Sequence, residues 1–146
     1  MKSLNKRLLS VFLTALMVFG TFCTTASAAT QSSEYLSGYS AGITPKSNGV
    51  LVITVDVTGV GYMPEIGATT IYLYESEDNK HFDYIETFDS SDYPKMMGSG
   101  SIFYEDVVTY QGKVGYYYYA KVFVYAGNST GGDERSYTTA VKRAKA

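Results

Sequence analysis

The chain has no tryptophan, one cysteine, one histidine and only three prolines. A single cysteine excludes a disulfide framework, and with a single histidine it excludes nearly every Cys/His metal site. An excess of positive charge is also missing: 12 Lys+Arg stand against 14 Asp+Glu, so the balance gives no sign of a nucleic-acid partner. No segment carries a sustained helical period, and no internal repeat is visible. What is abundant is tyrosine, with 15 residues beside 7 Phe. Aromatic side chains in that number fit the half-buried, pleated surface of strands. At 146 residues there is room for one core of ordinary size.

The first residues read as an export signal. Lys2, Lys6 and Arg7 precede an uncharged run from Leu8 to Phe19, and Ala26-Ser27-Ala28 supplies a small-x-small cleavage pattern. The run falls short of the roughly 20 apolar residues a membrane span needs. Phe22 before Cys23 is too large for a lipobox, so lipidation is not expected. Cleavage after Ala28 takes three cations with it and lowers 12 Lys+Arg to 9 against an unchanged 14 Asp+Glu, a net charge of −5. Cys23 leaves as well, so a hydrophobic core has to hold the exported domain. That habit is associated with secreted proteins of Gram-positive bacteria, and the expected location is extracellular, with no membrane span after cleavage.

Residues 29–34 are small and polar and read as a flexible lead; residues 35–143 read as a single β-domain. A first strand is expected over Tyr35–Ile43 and a second over Val50–Thr58. In the second, Leu51, Ile53, Val55 and Val57 form a wholly apolar parity opposite Thr54, Asp56 and Thr58. A period of two with that contrast gives one buried face. Gly59–Ala68, with three glycines and Pro64, reads as a loop. Further strands are expected over Thr69–Ser76, Phe82–Phe88, Ser101–Val108, Tyr116–Tyr125 and Arg135–Val141. Polar stretches at Asp89–Ser99 and Gly127–Gly132 read as flexible connections. About seven antiparallel strands at this spacing make an all-β sandwich.

Ile71-Tyr72-Leu73-Tyr74-Glu75-Ser76, the polar turn Glu77–Lys80 and then Phe82 resemble the central hairpin of bacterial fibronectin type III domains. Tyr104-Glu105-Asp106, Gly112, and Tyr118 four residues before Val122 are similar to that family's passage into its sixth strand. The resemblance covers about residues 40–143 and implies an immunoglobulin-like sandwich serving as a binding or spacer module. It also implies that Tyr118 is a tyrosine corner, its hydroxyl bonded to upstream backbone.

Constellations for catalysis are sparse. His81 sits in the hairpin turn, no Gly-x-Ser-x-Gly elbow or phosphate-binding glycine loop is present, and Glu75, Glu77, Asp78, Glu105 and Asp106 read as solvated carboxylates. Asp89 and Asp92, with Glu77 and Asp78, offer hard oxygens but no complete calcium spacing. No catalytic residue, metal site or cofactor is therefore expected. The tail Lys142-Arg143-Ala144-Lys145-Ala146 is basic and reads as a frayed terminus, with contact to anionic wall polymers as the other reading.

The distinctive feature is the outward parity of two strands. If Tyr118, Ala120, Val122 and Val124 face the core, Tyr117, Tyr119, Lys121, Phe123 and Tyr125 face out; if Ile71 and Leu73 face in, Tyr72 and Tyr74 face out. The resemblance makes these strands neighbours, so Tyr72, Tyr74, Tyr117, Tyr119 and Tyr125 are expected on one flat platform. Two uses are open to it: a stacking surface for a sugar or peptide, or cross-strand aromatic pairs that only stabilise the sheet. The functional expectation is a secreted, non-catalytic binding or adhesion module for a cell-wall glycan or an extracellular protein. The rival expectations are a small antibacterial or inhibitory polypeptide and a self-associating structural surface protein.

Overall fold

The computed structural model describes residues 33–146, an all-β body of two antiparallel sheets without an α-helix among the described residues. The expected leader at 1–28 and most of the lead at 29–34 lie outside the described residues. In chain order the strands are β1 (Leu36–Pro45), β2 (Val50–Met63), β3 (Glu65–Ser76), β4 (Asp83–Asp89), β5 (Met97–Gly98), β6 (Ser101–Gln111), β7 (Tyr117–Asn128), β8 (Gly131–Thr138) and β9 (Lys142–Arg143). Sheet A has the order β1-β2-β6. Sheet B has the order β4-β3-β7-β8, with β5 added to β3 and β9 added to β7.

The contrast between parities decides what is buried. Leu51, Ile53, Val55 and Val57 of β2 are at most 2% exposed, as are Ile71 and Leu73 of β3 and Tyr118, Ala120, Val122 and Val124 of β7. These rows meet between the sheets in one apolar core that also takes in Ile43, Met63, Ile66, Phe88 and Met96. Burial of whole aliphatic side chains, worth about 1.5–3 kcal/mol each, supplies the main driving force for that core.

Four expectations need correction. Gly59–Ala68 is no loop: β2 runs to Met63, β3 begins at Glu65, and Pro64 alone separates them. The glycines here belong to bent strands, because β2 shifts register between Thr58 and Met63. At Gly67 the backbone approaches that of Met96 so closely that a Cβ would collide with the Met96 carbonyl. Within Asp89–Ser99, Pro94–Met96 forms a 3-10 turn whose Met96 side chain is 1% exposed, and β5 pairs with Ile66 and Gly67. The apolar Met96 pulls this segment onto the core. Third, Asn128 pairs with Gly131 across Ser129-Thr130, so the β7–β8 connection is tight and β8 lies earlier than expected. Fourth, the basic tail is docked. Tyr117 and Tyr118 pair with Arg143 and Lys142, and Ala144, 4% exposed, exchanges backbone bonds with Tyr116 and Gly115.

At the other end of the chain, Ser33 Oγ and the amides of Glu34 and Tyr35 donate to Asp133 Oδ2, at 2.5, 2.9 and 3.3 Å.

Candidate functional site

The register of β3 against β7 builds the outer face of sheet B. Tyr72 pairs with Lys121 and Tyr74 with Tyr119, and the bulge between Ala68 and Thr70 keeps both tyrosine rows on the side away from the core. Strand β4 adds a third row, with Tyr84 opposite Tyr74. Tyr74 and Tyr119 stack at 4.7 Å with 7° between their planes. Around that stack the contacts are edge-on: Phe82 against Tyr119 at 5.0 Å, Tyr84 against Tyr72 at 6.2 Å and Tyr74 at 6.1 Å, and Tyr72 against Phe123 at 5.8 Å. Ring quadrupoles favour offset stacks and T-shaped pairs, each worth about 0.5–1.5 kcal/mol beyond area burial. The face is therefore ridged, with rings at steep angles, where the sequence suggested a flat platform.

Of the five tyrosines singled out, Tyr72, Tyr74 and Tyr119 are drawn into one cluster and all five are half-buried. Tyr117 stands at one end of β7 under the Arg143 guanidinium, 5.6 Å from its ring centre. Tyr125 stands at the other end, its ring laid over Gly127 and Gly132 beside a shallow groove lined by Pro64, Glu65, Thr69, Met97, Gly98 and Ser99. Neither joins the ring contacts of the central three among the described residues. Lys121 lies between the clusters with Nζ 5.1 Å from the Phe123 ring.

Sequence reasoning missed Tyr84, which at 57% is the most exposed ring of this cluster. A register shift between Leu73 and Tyr74 breaks the simple alternation in β4 that would have placed it. Burial, then the charge of Tyr74, raises the Tyr119 pKa, so its hydroxyl is a neutral donor and acceptor at any ordinary pH.

At one end of this face lies a polar network in which Tyr118 is buried, Glu75 mostly so, and Lys113 exposed. The Lys113 amide donates to the Tyr118 hydroxyl at 2.8 Å, from five residues upstream in the chain, and that hydroxyl donates to Glu75 Oε2 at 2.6 Å. Lys113 Nζ reaches Glu75 Oε1 at 2.5 Å. Burial, then the Glu75 bond, drives the Tyr118 pKa up. Burial alone would raise Glu75, but its bonds from Lys113 and Tyr118 outweigh it and hold the carboxyl below its usual range. Glu75 is thus no solvated carboxylate, as the sequence suggested; it sits on the inward parity of β3, where pairing compensates its desolvation.

The remaining titratable groups do not converge. His81 is exposed in the β3–β4 turn with its Nδ1 2.7 Å from Asp78 Oδ2. Among the described residues no group of three or more His, Cys, Asp or Glu side chains is placed to hold a metal ion. Asp89 instead binds locally, accepting from the Ser91 amide at 2.9 Å and from Thr70 Oγ1 at 3.2 Å.

No protein-family model matches the chain, and no curated protein matches it. Among solved structures it is similar to a family 76 glycoside hydrolase from a bovine Bacteroides thetaiotaomicron strain, at 13% identity and a TM-score of 0.30. That likeness covers 73% of this chain and 20% of the hydrolase chain, too distant a match to carry an argument about fold or activity.

Proposed function

We propose that the protein is an exported, non-catalytic binding module with a fibronectin type III-like sandwich, and that it takes a glycan chain on the outer face of sheet B. The observation that carries the reading is the difference between the two outer faces. Outward positions of sheet A hold Ser40, Thr44, Thr54, Asp56, Thr58, Glu105 and Thr109 beside Val50, Val52 and Val107, and Phe103 is the one aromatic ring among them across the paired stretch Val50–Thr58. Those of sheet B hold Tyr72, Tyr74, Tyr84, Tyr119 and Phe123. If aromatic pairs served stability alone, the three-stranded sheet would need them more than its larger partner. Phenol rings with one edge in water combine apolar faces with hydroxyl donors and acceptors, which suits the mixed surface of a sugar ring. The order β1-β2-β6 facing β4-β3-β7-β8 supports the family resemblance, and the leader pattern supports export.

A panel of insoluble peptidoglycan and soluble cell-wall polysaccharides tests the reading. The protein is expected to be retained on at least one of them, and Tyr119→Ala to abolish retention while lowering stability by about 1–3 kcal/mol, the worth of its two ring contacts. Tyr119→Phe keeps the stack and separates the hydroxyl from the ring. Retention that survives Tyr119→Ala, or no retention on any member of the panel, overturns the reading and leaves the rings a stabilising role.

A further inference from the structure

We propose that the end of the sandwich where the tail docks is a second binding site, for a linear polyanion, formed by Lys46, Arg143 and Lys145. The described residues carry 9 Lys+Arg against 14 Asp+Glu, so the body as a whole repels polyanions. Its cations are nevertheless gathered. The β1–β2 turn brings Lys46, the β6–β7 turn brings Lys113, and the docked tail brings Lys142, Arg143 and Lys145.

Backbone bonds fix this arrangement. The Gly49 amide donates to the Lys145 carbonyl at 2.8 Å, the Gly112 amide to the Gly49 carbonyl at 3.0 Å, and the Gly115 amide to the Ala144 carbonyl at 3.0 Å. The turns and the tail are thereby one unit. Ala144 is turned inward, while Arg143 and Lys145 on either side of it are exposed. Two shallow depressions flank Lys145: one also lined by Lys46, Pro45 and Ser47, the other by Arg143, Val114 and Gly115. A chain lying across Lys145 would meet a cation in each.

Lys113 is taken by Glu75 at 2.5 Å, while Lys46, Lys142, Arg143 and Lys145 form no ion pair among the described residues. Glu77, Asp78 and Asp83 lie in or beside the β3–β4 turn, where Asp78 is engaged by His81 Nδ1 at 2.7 Å and by the Lys80 and His81 amides. Fixing several unpaired like charges together costs folding free energy, and an anionic ligand would relieve that repulsion. Arg143 is preorganised, its Nε bound to the Gly115 carbonyl at 2.9 Å and its plane over Tyr117. The ligand class follows from the chemistry: several cations spread over an open, shallow surface favour a flexible chain of repeated anionic groups over a small anion. This site does not depend on the glycan reading, since it lies at one end of the body and uses charge.

Binding of the whole protein to linear polyphosphate and to a polyuronate, followed across a salt series, tests the proposal. Retention is expected on at least one at low ionic strength, weakening steeply as salt rises. Lys46→Gln with Lys145→Gln should weaken it at least about tenfold and lower the log–log salt slope by about 2, one for each cation removed. Lys95→Gln with Arg135→Gln makes the same change in net charge away from the tail, before β5 and on β8, and should leave binding unchanged. Equal weakening by the two pairs, or no binding of either polymer by the native protein, overturns the proposal; strength on one polymer over the other identifies the phosphate or carboxylate source. Unaltered circular dichroism in each variant separates a lost site from a lost fold, and Tyr119→Ala should bind both polymers as the native protein does.

Discussion

Asp78 concentrates more hydrogen bonds than any other side chain in the β3–β4 turn. Its Oδ1 accepts from the Lys80 amide at 2.8 Å, the His81 amide at 2.9 Å and Ser76 Oγ at 3.0 Å, and its Oδ2 faces His81 Nδ1 at 2.7 Å. The amide and imidazole of His81, then the Lys80 amide, hold this carboxyl far below its ordinary 3.8. Its contribution to stability is therefore present above pH 3.8 and lost as pH falls through the lowered pKa. The bond and the charge of Asp78 raise His81 above its ordinary 6.5. That contribution is full below pH 6.5 and lost as pH rises through the raised value. An NMR titration of the imidazole should give a midpoint above 6.5 that returns toward it in Asp78→Asn. An identical midpoint in both would show that the contact does not persist in solution. From the sequence the turn was legible in Glu77–Lys80, and so was the exposure of His81. The capping role of Asp78 was not, because it depends on Asn79 adopting a φ of 59° that brings the following amides round to one oxygen.

Strands were legible where one parity is apolar and the other polar, as in β2, and where tyrosine alternates with aliphatics, as in β3 and β7. They were hidden where glycine and proline sit in bent strands, as at residues 59–68, because the same residues mark loops elsewhere. The aromatic cluster was legible for Tyr72, Tyr74 and Tyr119 from parity once the family resemblance made their strands neighbours. Its ridged shape was not, since ring angles depend on packing across three strands. Strand β6 shows how weak the parity signal becomes at an edge. Phe103, Val107 and Ile102 are exposed there, while Asp106 shares the inward parity of Tyr104, Val108 and Tyr110. An edge this long, with unpaired amides and exposed apolar side chains, is a template for a second copy. A carboxylate in its middle resists that use, because antiparallel pairing of two β6 strands about Asp106 would oppose like charges. Asp106→Val is accordingly expected to raise the concentration-dependent mass seen by light scattering above that of the native protein. An unchanged mass would mean that strand twist protects the edge, whatever the charge.

At the scale of the whole molecule, each sheet is completed only by strands far apart in the chain. Ile53 of β2 pairs with Val108 of β6, and Leu73 of β3 with Ala120 of β7. Neither sheet can bury its inner face until both have formed, because their inner rows share one core. The one cysteine, Cys23, lies outside the described residues, so no disulfide within them holds a part of the fold together while the rest opens. Such a body has no subunit able to stand alone, and non-local pairing of this kind folds in about milliseconds to seconds. Unfolding should therefore be a single transition. The chain offers a direct check, since with 15 Tyr and no Trp its near-ultraviolet dichroism reports the tyrosines, most of them on sheet B, while the far-ultraviolet signal reports both sheets. The two signals are expected to share one denaturant midpoint. Loss of the tyrosine signal at lower denaturant would show the aromatic face loosening before the core. A surface that loosens first would owe its rings little stability, and their clustering would then call for a ligand all the more strongly.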